Sequence, residues 1–183
     1  MAVLPVSPLV PVEEYLNSVY RPDLEYVDGV LLERGMPTIA HSVLQRILIL
    51  YFAASEEALR FIALPEVRTQ IIERARYRIP DVMLCPRPLP RGRVVNTVPW
   101  TILEILSPDD KMHELIQRFL DYKNLGVRHL VLLDPETFVA YRFEDGSLLQ
   151  TEFTSLDLPT GSVPFDTAAI FRQLTEKLSE RGD

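Results

Sequence analysis

Between Trp100 and Pro135 the chain holds two short, almost wholly apolar runs, WTILEILS and RHLVLLDP, joined by a helical stretch that closes at Gly126. Runs this short and this rich in β-formers read as strands covered on both faces, and two of them joined through a helix make a right-handed parallel crossover. That unit commits the chain to an α/β fold, a sheet with helices packed against it. The SPDD sequence is the expected helix start, with Ser107 as cap, Pro108 at the first helical position and acids in the first turn.

The flanking sequence extends the same architecture. After a proline-rich lead over residues 1–10, residues 11–20 read as a short helix and LEYVDGVLLERG as a hairpin turning at Asp28 and Gly29. From Thr38 to about Leu59 the apolar positions Ile39, Val43, Ile47, Leu50 and Ala54 recur at helical spacing, predicting one long buried helix. LPEVRTQIIE and YRIPDVMLC are extended runs, the second placing Asp81 on a strand, and the prolines of PRPLPRGRVVNTVP forbid regular structure. TFVAYRFEDGSLLQTEF reads as a hairpin turning at Asp145 and Gly146, and residues 164–180 as a final helix. The order predicts a mixed β-sheet flanked by helices in a single domain spanning residues 1–183.

Composition narrows the class. A hydrophobic share of 47% and a charged share of 25% describe an ordinary soluble domain. The opening MAVLPVSPLVPVEEY has no basic start and does not read as a signal peptide. The most apolar stretch, ILILYFAA, is bounded by Arg46, Glu56 and Glu57 and falls short of the roughly 20 residues a bilayer span needs. One cysteine, Cys85, and three histidines allow neither an internal disulfide nor a zinc-type cluster, so a cytoplasmic location and no membrane association are expected. The net charge of -7 argues against a protein that coats nucleic acid. Yet Arg68, Arg74, Arg76, Arg78, Arg87, Arg91 and Arg93 face only Glu73 and Asp81 within their span. This basic island is either a solvated strand face or a phosphate-contacting surface. No glycine-rich phosphate loop or nucleophilic serine motif is present, so kinase-like and acyl-transfer classes drop out.

Two acids stand out against their surroundings. Alternation along WTILEILS puts Glu104 on the face of Ile102 and Leu106, where a carboxylate must be paired, protonated or bound to metal. Asp81 follows a proline at the start of an apolar strand. Acids on adjacent central strands suit a hard cation such as magnesium, which takes carboxylate oxygens and water and assists phosphodiester hydrolysis. The alternative is that one acid caps a loop and the other bonds an arginine.

In LEYVDGVLLE, His41 at the opening of the long helix, RIPDVML, LEILSP and YKNLGVRHLVLLDP, the sequence resembles the Uma-type restriction endonucleases, a branch of the PD-(D/E)xK nuclease superfamily. The resemblance covers nearly the whole chain. It implies a restriction-endonuclease-like α/β fold in which Asp81 takes the motif's aspartate and Glu104 its second acid. Glu25 would be an additional metal-binding acid, and His41 would lie near the site. The superfamily's lysine would stand where this chain has Leu106, and the relocated lysine of the Uma-type branch would stand where it has Arg118.

Only Lys111, Lys123 and Lys177 could substitute. A helix packing back antiparallel on its strand brings Glu114 level with Glu104, since three strand residues span roughly 10 Å and about seven helical residues cover that rise. Side chains lean toward the helix N-terminus, so Arg118 reaches the same level, Lys111 lies one turn early and Lys123 too far down. Glu114, Arg118 and Tyr122 share one face by their four-residue spacing. A guanidinium stabilises phosphate charge but is too basic to deprotonate water at neutral pH.

The reading that follows is a Mg2+-dependent DNA endonuclease, with Mn2+ as a possible replacement. Asp81, Glu104 and Glu25 would act as acids and ligands, Arg118 as the phosphate-stabilising group, and His41, Glu114, Lys111 and Tyr122 as accessory residues. The competing reading is a nuclease-derived nucleic-acid-binding or assembly module that has lost turnover. A metal-free carboxylate hydrolase leaves the basic island without a reason. A homodimer is expected, because a two-fold pair most simply cuts both strands of DNA.

Overall fold

β-Formers alternate with helix-length segments along the chain, and hydrogen bonding sorts them into three sheets. The computed structural model describes residues 9–179, so most of the proline-rich lead lies outside the described residues. The first elements of the described residues are α1 (Val12–Asn17) and a tight hairpin of β1 (Glu25–Val27) and β2 (Val30–Leu32). Asp28 and Gly29, at φ 51° and 92°, make the turn, a conformation in which glycine carries no steric cost. Next come α2 (Ile39–Ala53), α3 (Glu56–Leu59), β3 (Phe61–Pro65), β4 (Thr69–Ile72), β5 (Arg76–Arg78) and β6 (Val82–Pro86). The remainder is β7 (Thr101–Ile105), α4 (Met112–Leu125), β8 (His129–Asp134), β9 (Val139–Glu144), β10 (Ser147–Gln150), β11 (Ser155–Leu158), β12 (Gly161–Pro164) and α5 (Thr167–Ser179).

The main sheet has six strands in the order β10-β9-β8-β7-β6-β3. β7 and β8 pair in parallel, from Thr101 opposite His129 to Ile105 opposite Leu133, with α4 as the crossover. Every other pair in this sheet is antiparallel. The apolar run WTILEILS therefore does become a central strand, and all five residues of β7 are buried.

Alternation along β7 divides the core. Leu103 and Ile105 join Leu44, Ile47, Leu48 and Phe52 of α2 and Ile170 and Leu174 of α5 on one face. Ile102 joins Leu115, Phe119 and Tyr122 of α4 on the other. Burying each such aliphatic or aromatic side chain contributes about 1.5–3 kcal/mol. A second sheet, β2-β1-β5-β4, lies beyond α4, which is thus held between two sheets: Ile71 of β4 shares its apolar cluster, and α1 closes the outside through Tyr15, packed on Tyr26 and Tyr77.

Three expectations are corrected. The helix foreseen from Thr38 to Leu59 is two helices: α2 ends at Ala53, and after α3 the backbone reverses at Arg60 with φ 54° while Glu56 accepts the Ala63 N–H at 2.8 Å. The extended runs of residues 64–85 break into four strands, two of which belong to the smaller sheet. SPDD does not open α4. Asp110 Oδ2 accepts the Ser107 N–H at 2.8 Å, closing a turn of its own, and the helix starts at Met112 with Lys111 as a cap residue whose side chain does not bond the helix backbone. Its other end falls at Gly126, φ 99°, a left-handed stop natural to glycine. No helix among the described residues is long and apolar enough to cross a membrane.

Candidate functional site

Asp81 precedes β6 and Glu104 lies on β7, and the antiparallel pairing of Val82 with Leu103 brings the two acids to the same end of adjacent strands. A cleft of about 440 Å3 opens there, lined among others by Arg34, His41, Asp81, Ser107 and Arg118. Asp81 is 3% exposed and Glu104 2%.

Burial works to raise the Asp81 carboxyl, but a hydrogen bond with His41, the charge of Arg34 and the Ile105 N–H outweigh it and hold the group below the usual carboxylate range. Its Oδ2 accepts the Ile105 N–H at 2.7 Å, and its Oδ1 accepts from Arg34 NH2 at 2.5 Å. His41 bridges the site, with Nδ1 3.1 Å from Ser107 Oγ and Nε2 3.5 Å from Asp81 Oδ1. The helix start puts it there: Thr38 caps α2 by accepting the His41 N–H at 3.1 Å.

Glu104 behaves oppositely. Burial and then the neighbouring Asp81 charge push its carboxyl up to about 8, with Arg118 and the Tyr122 hydroxyl opposing. Tyr122 donates to Glu104 Oε1 at 2.6 Å, and Arg118 NH1 stands 3.8 Å from Oε2. Arg118 pays for its burial with two carboxylates, Glu104 and Glu25, which hold its guanidinium protonated above the ordinary arginine range. Its Nε lies 3.6 Å from Glu25 Oε1 but makes no hydrogen bond among the described residues.

Glu25, foreseen as a third metal-binding acid, has other partners. Its Oε2 accepts from Arg78 at 2.6 Å and its Oε1 from the Ile79 N–H at 3.1 Å. Arg78 also binds Asp121 of α4 through Nε at 2.8 Å, and Arg76 binds the same carboxylate at 2.6 Å. Glu25 thus belongs to a buried ion network that ties the smaller sheet to α4 behind the cleft.

The structure brings together Asp81, Glu104, Arg118, Tyr122 and His41. It does not bring Glu114 or Lys111 to them: Glu114 points to solvent and pairs with Lys111 at 3.0 Å. The helix begins at Met112 rather than near Ser107, so the first turn of α4 lies outside the cleft instead of level with Glu104. Lys123 reaches Asp145 at 3.3 Å, and Lys177 is exposed on α5, so neither approaches the acids. The basic island also dissolves: Arg68 pairs with Asp23, Arg74 with Glu13, Arg76 with Asp28 and Asp121, Arg78 with Glu25 and Asp121, and Arg87 with Glu57. Five of its seven arginines are paired with acids, and the pairs of Arg68, Arg76 and Arg78 bind the fold together. Arg34 and Ser107 were missed as site residues. Arg34 carried a signal, a lone cation beside Gly35 just after the hairpin, but nothing local showed that it folds onto Asp81.

For a divalent cation the fit rests on chemistry rather than number. Among the described residues no group of three or more histidine, cysteine, aspartate or glutamate side chains is arranged to hold a metal. Two carboxylates, one of them pushed up by burial and then by the charge of the other, make an oxygen-rich pair that a hard cation relieves, and magnesium commonly takes only one or two protein carboxylates beside water and phosphate.

None of the proteins of curated function matches this sequence. A crystal structure described as a putative nuclease from Anabaena variabilis superposes with a TM-score of 0.74 at 18% identity, over 90% of this chain and 99% of that one, a likeness of fold. A DrdV–DNA complex gives a TM-score of 0.38 at 16% identity, over 77% of this chain and 11% of that one. The profile of the Uma2 family, described as "putative restriction endonuclease", matches residues 12–169. That match runs over most of the chain, and together with the shared fold it places the chain in the Uma2 family.

Proposed function

We propose that this chain is a metal-dependent DNA endonuclease that hydrolyses phosphodiester bonds, acting as one domain and cutting both strands as a homodimer. The observation that carries the proposal is the split between two buried neighbouring carboxylates, Asp81 held ionised and Glu104 pushed up to about 8 beside it. The two acids stand buried side by side at one end of adjacent strands, and perturbed acids so placed are where chemistry is found.

Asp81 and Glu104 would hold Mg2+, with Mn2+ as a replacement. When bound, the cation supplies a Lewis acid that activates water and neutralises charge on the phosphate. The chain's own residues do the rest. Arg118 lines the cleft, and its guanidinium is a donor suited to phosphate oxygens. Glu25, fixed by Arg78, orients Arg118 from behind. Tyr122 fixes Glu104, and His41 spans Asp81 and Ser107 so that neither turns away from the cleft.

The test is cleavage of supercoiled plasmid with Mg2+ or Mn2+, comparing wild type with an Asp81→Ala, Glu104→Ala double variant and with excess chelator. Conversion by wild type alone supports the proposal; equal conversion by the variant overturns it. One observation favours a binding or assembly module without turnover: no lysine among the described residues reaches the acids, leaving a guanidinium too basic to take a proton from water. That reading predicts DNA binding without cleavage.

A further inference from the structure

Arg34 is the cation nearest to Asp81, and no part of the proposed chemistry uses it. It follows β2 on an irregular segment whose next residues, Gly35, Met36 and Pro37, are exposed. The side chain is 18% exposed and turns into the cleft, where NH2 lies 2.5 Å from Asp81 Oδ1. The other Asp81 oxygen is fixed by the Ile105 N–H, so Oδ1 is the atom left for a ligand from the cleft. Arg34 also acts on Glu104, whose carboxyl its charge helps to lower. The guanidinium therefore neutralises the same two acids that a divalent cation would.

A second acceptor waits beside it. NH1 of Arg34 stands 3.5 Å from Glu66 Oε1, and Glu66 is anchored by its own N–H on the carbonyl of Pro80, directly before Asp81. Glu66 is half exposed and also lines the cleft. A guanidinium and a divalent cation on one carboxylate oxygen repel each other, so one of them must leave, and Glu66 offers the departing group a carboxylate within a short swing.

We infer that Arg34 is the resident counter-ion of the Asp81–Glu104 pair, that a divalent cation enters by replacing it on Asp81 Oδ1, and that Glu66 receives the displaced guanidinium. Arg34 and Glu66 are positioning residues that set how tightly the site takes metal. The inference rests on the reading that Asp81 and Glu104 hold the cation, and it is separable from it by experiment.

The experiment titrates Mn2+ into the full chain without DNA, followed by calorimetry and by the electron paramagnetic resonance of free Mn2+. Arg34→Gln keeps an amide donor but removes the charge, and is expected to bind Mn2+ at least tenfold tighter than wild type. Arg34→Lys keeps the charge and is expected to return the affinity to within about threefold of wild type. Glu66→Gln removes the receiver and is expected to weaken binding severalfold. The double variant R34Q/E66Q is expected to bind like R34Q, because Glu66 matters only while there is a guanidinium to receive; a general field effect would make the two changes additive instead. Glu66 is 46% exposed, so the E66Q arm stands even where R34Q folds poorly. Unchanged or weaker binding by R34Q, or additivity in the double variant, overturns the inference. Asp81→Asn tells the two failures apart: loss of binding in D81N with no gain in R34Q defeats the Arg34 inference alone, whereas wild-type binding by D81N defeats the ligand assignment and the inference with it.

Discussion

The hydroxyl of Tyr122 on α4 donates a 2.6 Å hydrogen bond to Glu104 on β7, joining the crossover helix to the strand it returns from. Both groups are fully buried, and the bond helps to draw the Glu104 carboxyl down against burial and the Asp81 charge. Tyr122→Phe leaves an acceptor unsatisfied. It is expected to cost about 1–3 kcal/mol of stability by chemical denaturation, and to move the Glu104 titration further upward when followed by carboxyl NMR.

Stability should fall as pH rises across the neutral range. The unfolded chain releases the Glu104 proton near 4.5, the folded one near 8, so the folded state binds more protons between these values and loses stability as pH rises through them. The slope is expected to reach about 1.4 kcal/mol per pH unit in metal-free protein. Asp81 acts in the other direction: its contribution is complete above its unfolded value of 3.8 and is lost only as pH falls below that. Thermal unfolding in chelator from pH 5 to 8 measures the slope, and Glu104→Gln should flatten it.

Arg78 holds Glu25 and Asp121 together, all three buried. Arg78→Met leaves two carboxylates without their shared cation and is expected to cost about 3–5 kcal/mol. Urea denaturation measures it. Adding Glu25→Gln and Asp121→Asn to the same chain is expected to recover a large part of the loss, because the cost lies in the stranded charges.

Arg118→Lys places an amine that can lose its proton where the chain now carries a guanidinium that cannot. Cleavage of plasmid in Mg2+ is expected to rise at least tenfold at pH 8. A variant slower than wild type would mean that the two-pronged geometry of arginine matters more than a removable proton.

The central layer was legible because its signal is local. β7, β8, the crossover between them and both tight hairpins follow from apolar runs and from Asp-Gly turns, and Glu104 and Asp81 stood out as acids in apolar strands. What escaped notice depends on partners distant in sequence. Arg34 reaches Asp81 across 47 positions, and Arg78 finds Glu25 across 53, so no window of sequence contains either pair. The β11–β12 hairpin was missed although Phe153, Leu156, Leu158, Val163 and Phe165 all enter the core, because its strands are four residues each and their turn lacks the Asp-Gly signature. The arginine cluster misled for the opposite reason: counting charge over a window ignores acids such as Asp23, Asp28 and Asp121 that fold brings to it.

The buried network of Arg78, Glu25 and Asp121 has an evolutionary consequence. Its three members come from the second half of the small sheet, from the opening hairpin and from the crossover helix, and each is costly without the others. A lineage can drift freely at Arg74 or Glu13, whose pairing is exposed, but it can leave this triad only by changing its members in concert. Across the family these three positions should covary, so that a relative with a neutral side chain at one of them carries compensating neutral residues at the other two.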